Sequence, residues 1–411
     1  MREQYVLGID AGTSSIKVGL VTREGILARL ATEPYPMSSP HPGWAEQNAE
    51  DWWRAIKVAV GKVMSGIEPT SVVGIGLSNA GGSLVLLDEQ GQPVRPAIVW
   101  MDGRALQEGE QLMREKGRGF WVRHLGHDNI SHGLACRLVW LRKHEPDTFK
   151  RIAVALQPAD YVIYRMTGRT VTDRSNACAT GVYNLRTGDW DGDVLSAVNV
   201  SDTILPELRD SGTIAGHVAP DVASELGLTV GTPVVLGAWD QLRIVVAVGS
   251  VSDQDALLST GTAWVLLEPI KRLHMDPLAA IWAVQHARAR QYVLMIAMSN
   301  GGAVVEWYRH VFAGVKGEEE TDRVTAGGLC GLPAGVEDVP PGSNGVLVLP
   351  HLIGAMGIHM EPEYSGCILG LRHYVAEVGA LVVHDLMEQE AENLPDFPDG
   401  GPDAGTFVDR M

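Results

Sequence analysis

Asp240 closes the apolar stretch Leu236-Gly237-Ala238-Trp239-Asp240-Gln241. A carboxylate at the end of a strand, just after a glycine, stands at the edge where the active sites of α/β proteins gather. There it can accept the proton of a hydroxyl that attacks a phosphoryl group, a reaction that needs positioning and charge neutralisation more than covalent help. Taken alone, the same Asp more often reads as the cap of a following helix. Gly8-Ile9-Asp10-Ala11-Gly12-Thr13-Ser14-Ser15-Ile16-Lys17 offers the complementary parts. Backbone N–H groups in a Gly/Ser/Thr turn form a concavity for an anion. A neighbouring carboxylate, Asp10, suits a hydrated Mg²⁺, and Lys17 adds a cation. No GxxxxGK[ST] occurs, so this is not a Walker A loop. The alternative is a plain hairpin with a small polar turn. A second hydroxyl-rich turn, Ser259-Thr260-Gly261-Thr262, follows some twenty residues after Asp240.

The elements that must hold these residues are legible in outline. Tyr5–Asp10 and Ile16–Thr22 read as a hairpin. Asn48–Ser65 reads as a helix capped by Asn48, with Trp52, Trp53, Ile56, Val60 and Val63 near helical spacing. Ser71–Leu77 and Gly82–Asp88 read as strands, Leu134–Lys143 and Ala159–Met166 as helices. Strands recur at Thr232–Leu236, Ala256–Thr260 and Ala263–Leu267, and Ala303–Phe312 reads as a helix. Strands and helices alternating twice predict an α/β chain of two related domains, with a boundary near Ser250–Asp255. From Asp385 onward eight acidic residues face one basic, with three prolines and three glycines, which predicts a solvated acidic tail.

At 411 residues there is chain enough for two cores. Thirty-three Lys and Arg against 50 Asp and Glu leave a net charge of −17, which disfavours nucleic acid and anionic membrane as partners. The four cysteines, Cys136, Cys178, Cys330 and Cys367, form no CxxC pair, so neither a zinc knuckle nor a disulfide framework is expected. The N-terminus runs straight into a strand, and no apolar run reaches the roughly 18–20 residues of a membrane span. A reduced cytoplasmic enzyme is the expectation.

In combination the two turns and the carboxylate between them resemble the actin-like ATPase layout, and the chain is similar to the FGGY carbohydrate kinases, within them most to the xylulokinases. The matching stretches are GIDAGTSSIK (8–17), GWAEQNAEDWW (43–53), PAIVWMDGRA (96–105), LVWLRKHEP (138–146), DYVIYRMTGRTVTDRSNA (160–177), GTPVVLGAWDQ (231–241), LSTGTAW (258–264) and NGGAVVEWYR (300–309). They are ordered as in that family and cover roughly residues 1–375. The resemblance implies an actin-like (ribonuclease H-like) fold with a cleft between two domains. Residues 1–250 would form the sugar- and phosphate-binding domain, 251–375 a partial second domain, and 376–411 the divergent tail. It implies ATP and Mg²⁺ as cofactors and a sugar as substrate; a homodimer is an open option. Asp10 would face the metal. Gly12, Thr13 and Ser14 would face the phosphates, with Lys17 close by. Asp240 would be the general base beside Gln241. Gly261 and Thr262 match the second phosphate turn. Ser78, Asn79 and Ala80 fall in the sugar loop, and Trp100, Asp102 and Arg104 follow near the substrate.

Four departures stand out. The xylulokinase Gln-Met-His-Gly stretch is here Ser78-Asn79-Ala80-Gly81-Gly82, without the histidine, which loosens the substrate assignment: a ketopentose such as xylulose is the nearest expectation, with another pentulose, a hexulose or a polyol as alternatives. Arg137 stands where the family has Lys, and Gly354-Ala355-Met356-Gly357 replaces a Gly-Glu-Arg segment. After Arg372 little matches, and the chain reads as a kinase cut short before its adenine-holding loop, with apolar surface left uncovered. Two functions therefore compete: an ATP-dependent sugar kinase, which the retained Asp10 and Asp240 favour, and an inactive homologue that only binds sugar.

Other readings are weaker. Gly76-Leu77-Ser78-Asn79-Ala80 approaches a GxSxG elbow but leads into a strand, not a helix. Gly74-Ile75-Gly76 starts a dinucleotide fingerprint that Asn79 ends. His124, His127 and His132 lack metal-ligand spacing. Trp44, ahead of Trp52 and Trp53, is the aromatic best suited to stack on a sugar face.

Overall fold

The computed structural model describes residues 3–249, 255–260, 264–298, 301–302, 304, 307, 339–340, 342–349 and 366–370. The sequence divides into two compact units, Met1–Gly249 with Ile270–Val293, and Ser250–Pro269 with Leu294–Met411. The return of Ile270–Val293 to the first unit is a feature that a single break near residue 250 does not anticipate.

In the first unit, β1 (Tyr5–Ala11) buries Tyr5, Leu7, Ile9 and Ala11, and β2 (Ser15–Thr22) buries Ile16, Val18 and Leu20. Period-two burial makes one face of this hairpin core. The two strands pair from Tyr5↔Thr22 to Ala11↔Ile16, so the turn falls at 12–14. β3 (Leu27–Pro34) pairs with β2 at the sheet edge. On the other side β1 runs parallel to the strand Val72–Asn79, which runs parallel to Pro233–Trp239; Ile214–His217 closes the six-stranded sheet antiparallel. Crossover connections make the three central strands parallel.

α1 (Ala49–Met64) starts where Asn48 accepts a hydrogen bond from the Glu50 N–H at 3.1 Å. Its Trp52, Trp53, Ile56, Val60 and Val63 lie on the core face, beside Leu7, Ile16 and Leu20 of the sheet. The helix Pro158–Thr167 joins the same core through Tyr161, Val162 and Met166, and ends at Gly168 with φ of 70°. A second core gathers Leu84, Leu86, Ile98, Trp121, Leu134, Leu138 and Leu141. The strand Val85–Leu87 lies between the two, with Val85 and Leu87 in the first core and Leu84 and Leu86 in the second. That strand is shorter than the expected Gly82–Asp88, because Gly82 takes a left-handed φ of 83°.

Among the described residues, Leu257–Thr260 pairs antiparallel with Trp264–Ile270, and Leu347–Leu349 with Cys367–Leu369. Most of the expected helix Ala303–Phe312, the Gly354–Gly357 segment and the acidic tail lie outside the described residues. Among the described residues no helix is long and apolar enough to cross a membrane.

One glycine fixes the strand that ends at Asp240. A Cβ built on Gly237 would sit 1.4 Å from the carbonyl oxygen of Leu77 on the neighbouring strand. Gly237→Ala must therefore push these strands apart, with an expected loss of about 3 kcal/mol or more. Urea unfolding of the full chain reads this directly, and an unchanged midpoint would show that the strands yield.

Candidate active site

The sheet register brings the expected residues to one place. Asp10 is opposite Ser78, and Ser78 is opposite Ala238; one step on, Ala11, Asn79 and Trp239 align. Three parallel strands thus end side by side, and Asp240 follows at once as the first residue of the helix Asp240–Ala247. The two readings of Asp240, cleft carboxylate and helix start, describe the same position. Its Oδ1 accepts from the Gln241 N–H at 2.7 Å. Burial pushes its carboxyl up to about 6; the Gln241 hydrogen bond opposes this, the nearby Asp10 adds to it, and Arg243 opposes it.

Asp10 Oδ1 is buried and makes no hydrogen bond. Its nearest cation is Arg243, 3.6 Å away, one turn along the helix from Asp240. Lys17 is paired across the hairpin with Asp10, on the same sheet face, and is exposed. The turn at 12–14 is held from outside. Gly12 N–H donates to Ser15 O at 3.1 Å and Tyr35 N–H to Ser14 O at 3.2 Å, while the Tyr35 hydroxyl donates to Gly12 O. Gln47 Nε2 donates to Thr13 O at 2.8 Å, and Trp100 Nε1 to Thr13 Oγ1 at 3.0 Å. With its carbonyls engaged, the turn keeps the Thr13 and Ser14 N–H groups to offer an anion.

Ser78 Oγ, Asn79 Oδ1 and Gln241 Oε1 are likewise buried without a hydrogen-bond partner. Buried polar atoms are normally satisfied, so a group of orphans around two carboxylates marks a place for a ligand. Ala80 N–H donates to Ala11 O at 3.1 Å, tying the sugar-loop segment to the end of β1. Trp100 is 43% exposed. Gly261 and Thr262 lie outside the described residues.

Asp102 and Arg104 correct the expectation that they face substrate. Asp102 is wholly buried, and its oxygens accept from Ala45 N–H (2.6 Å), Arg104 N–H (3.0 Å), Arg104 Nε (2.8 Å) and Arg104 Nη2 (2.8 Å). Burial alone would raise its carboxyl, but these hydrogen bonds outweigh burial and hold it below the usual range. Arg104 also meets Glu46 at 2.8 Å and lies 3.8 Å over the Trp44 ring. Trp44 is therefore engaged by a guanidinium, and Trp52 and Trp53 are core. The pair braces the loop that carries Trp100.

The sequence reading missed the residues that fasten the sugar-loop segment. Arg137, fully buried, donates to the carbonyls of Gly82, Val99 (2.9 Å) and Trp100 (2.8 Å). Gln157 takes the Gly82 N–H at 2.7 Å and donates to Asn176 O at 2.7 Å. Ser175 Oγ accepts from Trp239 N–H at 3.2 Å, securing the residue before Asp240. These partners are dozens of residues apart, and no local pattern announces them. His124 Nδ1 meets Asp191 Oδ2 at 2.6 Å, while His127 is buried and held down to about 4 by that burial.

Residues 5–247 match the model of the FGGY family of carbohydrate kinases, N-terminal domain. The chain belongs to that family. The kinase is 31% identical over 370 residues to the xylulose kinase of Escherichia coli (strain K12), covering 89% of this chain and 73% of that protein. It is 29% identical over 371 residues to the xylulose kinase of Bacillus subtilis (strain 168), covering 90% and 72%. The crystal structure of xylulose kinase from Rhodospirillum rubrum superposes with a TM-score of 0.83 at 27% identity, covering 94% of the kinase and 77% of that chain. The kinase thus has the actin-like ATPase fold.

Proposed function

We propose that this carbohydrate kinase transfers the γ-phosphoryl group of ATP to a hydroxyl of a ketopentose such as xylulose, with Asp240 as general base. The observation that carries the reading is the alignment of Asp10, Ser78 and Asp240 at three parallel strand ends, with unsatisfied buried oxygens among them. Asp240, its proton affinity raised by burial, accepts the hydroxyl proton as the sugar oxygen bonds to phosphorus and the bond to the ADP oxygen breaks. Gln241, Ser78, Asn79 and Ala80 hold the sugar, and Trp100 flanks it. The N–H groups of Thr13 and Ser14, with Gly12, and the Lys17 ammonium hold phosphate oxygens. Asp10 Oδ1, a buried acceptor with no donor, fits Mg²⁺, which prefers one or two carboxylates. When bound, Mg²⁺ offsets the charge of the phosphates.

The test is ADP release by the purified chain with ATP, Mg²⁺ and a panel of xylulose, ribulose, fructose and polyols. Xylulose or a close ketose is expected to give the highest kcat/KM. ADP release no faster than that of Asp240→Asn, with sugar binding retained, would instead establish the sugar-binding, inactive homologue.

A further inference from the structure

A cavity of 320 Å³ opens in the first unit where Arg174, the turn at 185–188, Asp210-Ser211 and the turn at 285–290 meet. None of its lining residues belongs to the strand-end site. Its size falls at the small end of ligand pockets. Its charge is unusual in a chain of net −17. Arg174, Arg186 and Arg290 face a single carboxylate, Asp210. Arg174 pairs with Asp210 at 2.8 Å and donates through Nε to Gly188 O at 3.1 Å, which fixes its guanidinium. Arg186 and Arg290 have no carboxylate partner among the described residues. Two positive charges are left over.

The other polar lining is donor-rich as well. His286 is 1% exposed, and its Nδ1 accepts from Arg288 N–H at 2.7 Å, which assigns the ring proton to Nε2. That Nε2 is buried without a partner. Burial, with Arg288 nearby, lowers the proton affinity of the ring, so it stays neutral and keeps this one donor. Arg290 holds a left-handed backbone, φ 62°, a conformation that costs a residue with a side chain and persists where the surroundings or a function demand it. Guanidinium groups match phosphate oxygens two at a time, and unlike Lys they do so in a fixed plane.

We propose that this cavity binds a small phosphomonoester, no larger than a sugar phosphate, at a site separate from that of phosphoryl transfer. Arg186 and Arg290 clamp the phosphate dianion, and Arg174, braced by Asp210 and Gly188, forms the fixed wall behind it.

The experiment is isothermal titration of the full chain with pyrophosphate and inorganic phosphate at low salt, comparing the parent chain with Arg186→Ala/Arg290→Gly. Glycine at 290 removes the cation and relieves the backbone, so stability is expected to hold. The parent is expected to bind pyrophosphate through a site that the double variant weakens on the order of tenfold or more. ADP formation at saturating ATP and sugar should be unchanged, which places the lost site outside the catalytic one. Identical titrations for the two proteins, or no binding to the parent, would overturn the proposal. Should the double variant melt early, Arg186→Gln on its exposed turn carries the same test with the same two outcomes.

Discussion

Asp240→Asn is expected to lower kcat by about 10²–10⁴-fold while leaving sugar affinity within a few-fold. Asparagine keeps the shape and the contact with the Gln241 N–H but cannot take a proton. The same residue sets the pH dependence. With burial holding its carboxyl up to about 6, the parent kinase is expected to lose activity as pH falls through 6, the proposed base becoming protonated. Stability runs the other way. A carboxyl whose folded pKa lies above its unfolded value binds more protons in the folded state. Its contribution to stability is present at low pH and is lost as pH rises through about 6. The kcat/KM profile of the parent should thus show an acid limb near 6 that is absent from the residual rate of Asp240→Asn. An equal acid limb in both proteins would reject Asp240 as the titrating base.

Asp102→Ala should be the most destabilising of the changes in the region, at about 3–5 kcal/mol, or a melting point lowered by roughly 6–12 °C. The cause is the partner left behind. Arg104 is buried, and without Asp102 it keeps Glu46 at 2.8 Å but loses two side-chain hydrogen bonds, while the N–H groups of Ala45 and Arg104 lose their acceptor. Because the Asp102 carboxyl is held below its usual range, this contribution exists above the unfolded pKa and disappears as pH falls through the folded value. The gap between parent and variant should therefore narrow in strong acid. Thermal melts read the stability and sugar titrations the affinity. Unchanged melting with a weakened KM would return Asp102 to the substrate.

Much of what positions the chemistry could be read from the chain. The β1–β2 hairpin, α1 with its Asn48 cap, and the strand ending at Asp240 follow from burial periodicity and turn chemistry over short windows. β3 did not declare itself. It lies at the sheet edge with only Ala31 buried, so its alternation is faint. Asp102 and Arg104 were set near the substrate by the resemblance alone, and only the fold supplies the Trp44 ring and the Ala45 N–H that hold them inward. Arg137 was visible as a departure from the family, yet its hold on three carbonyls depends on segments 37 to 55 residues away.

The division of the first unit into two apolar clusters has an evolutionary consequence. The strands that present Asp10 and Asp240 belong to one cluster. The helix that carries Arg137, and through it the loop around Gly82 and Trp100, belongs to the other. Mutations in that helix are expected to reach the loop before the sheet, whose strands pack in their own cluster. If that loop holds the sugar as proposed, selection has a route to retune which polyhydroxy compound is accepted in small heritable steps, apart from the strand ends assigned to phosphate.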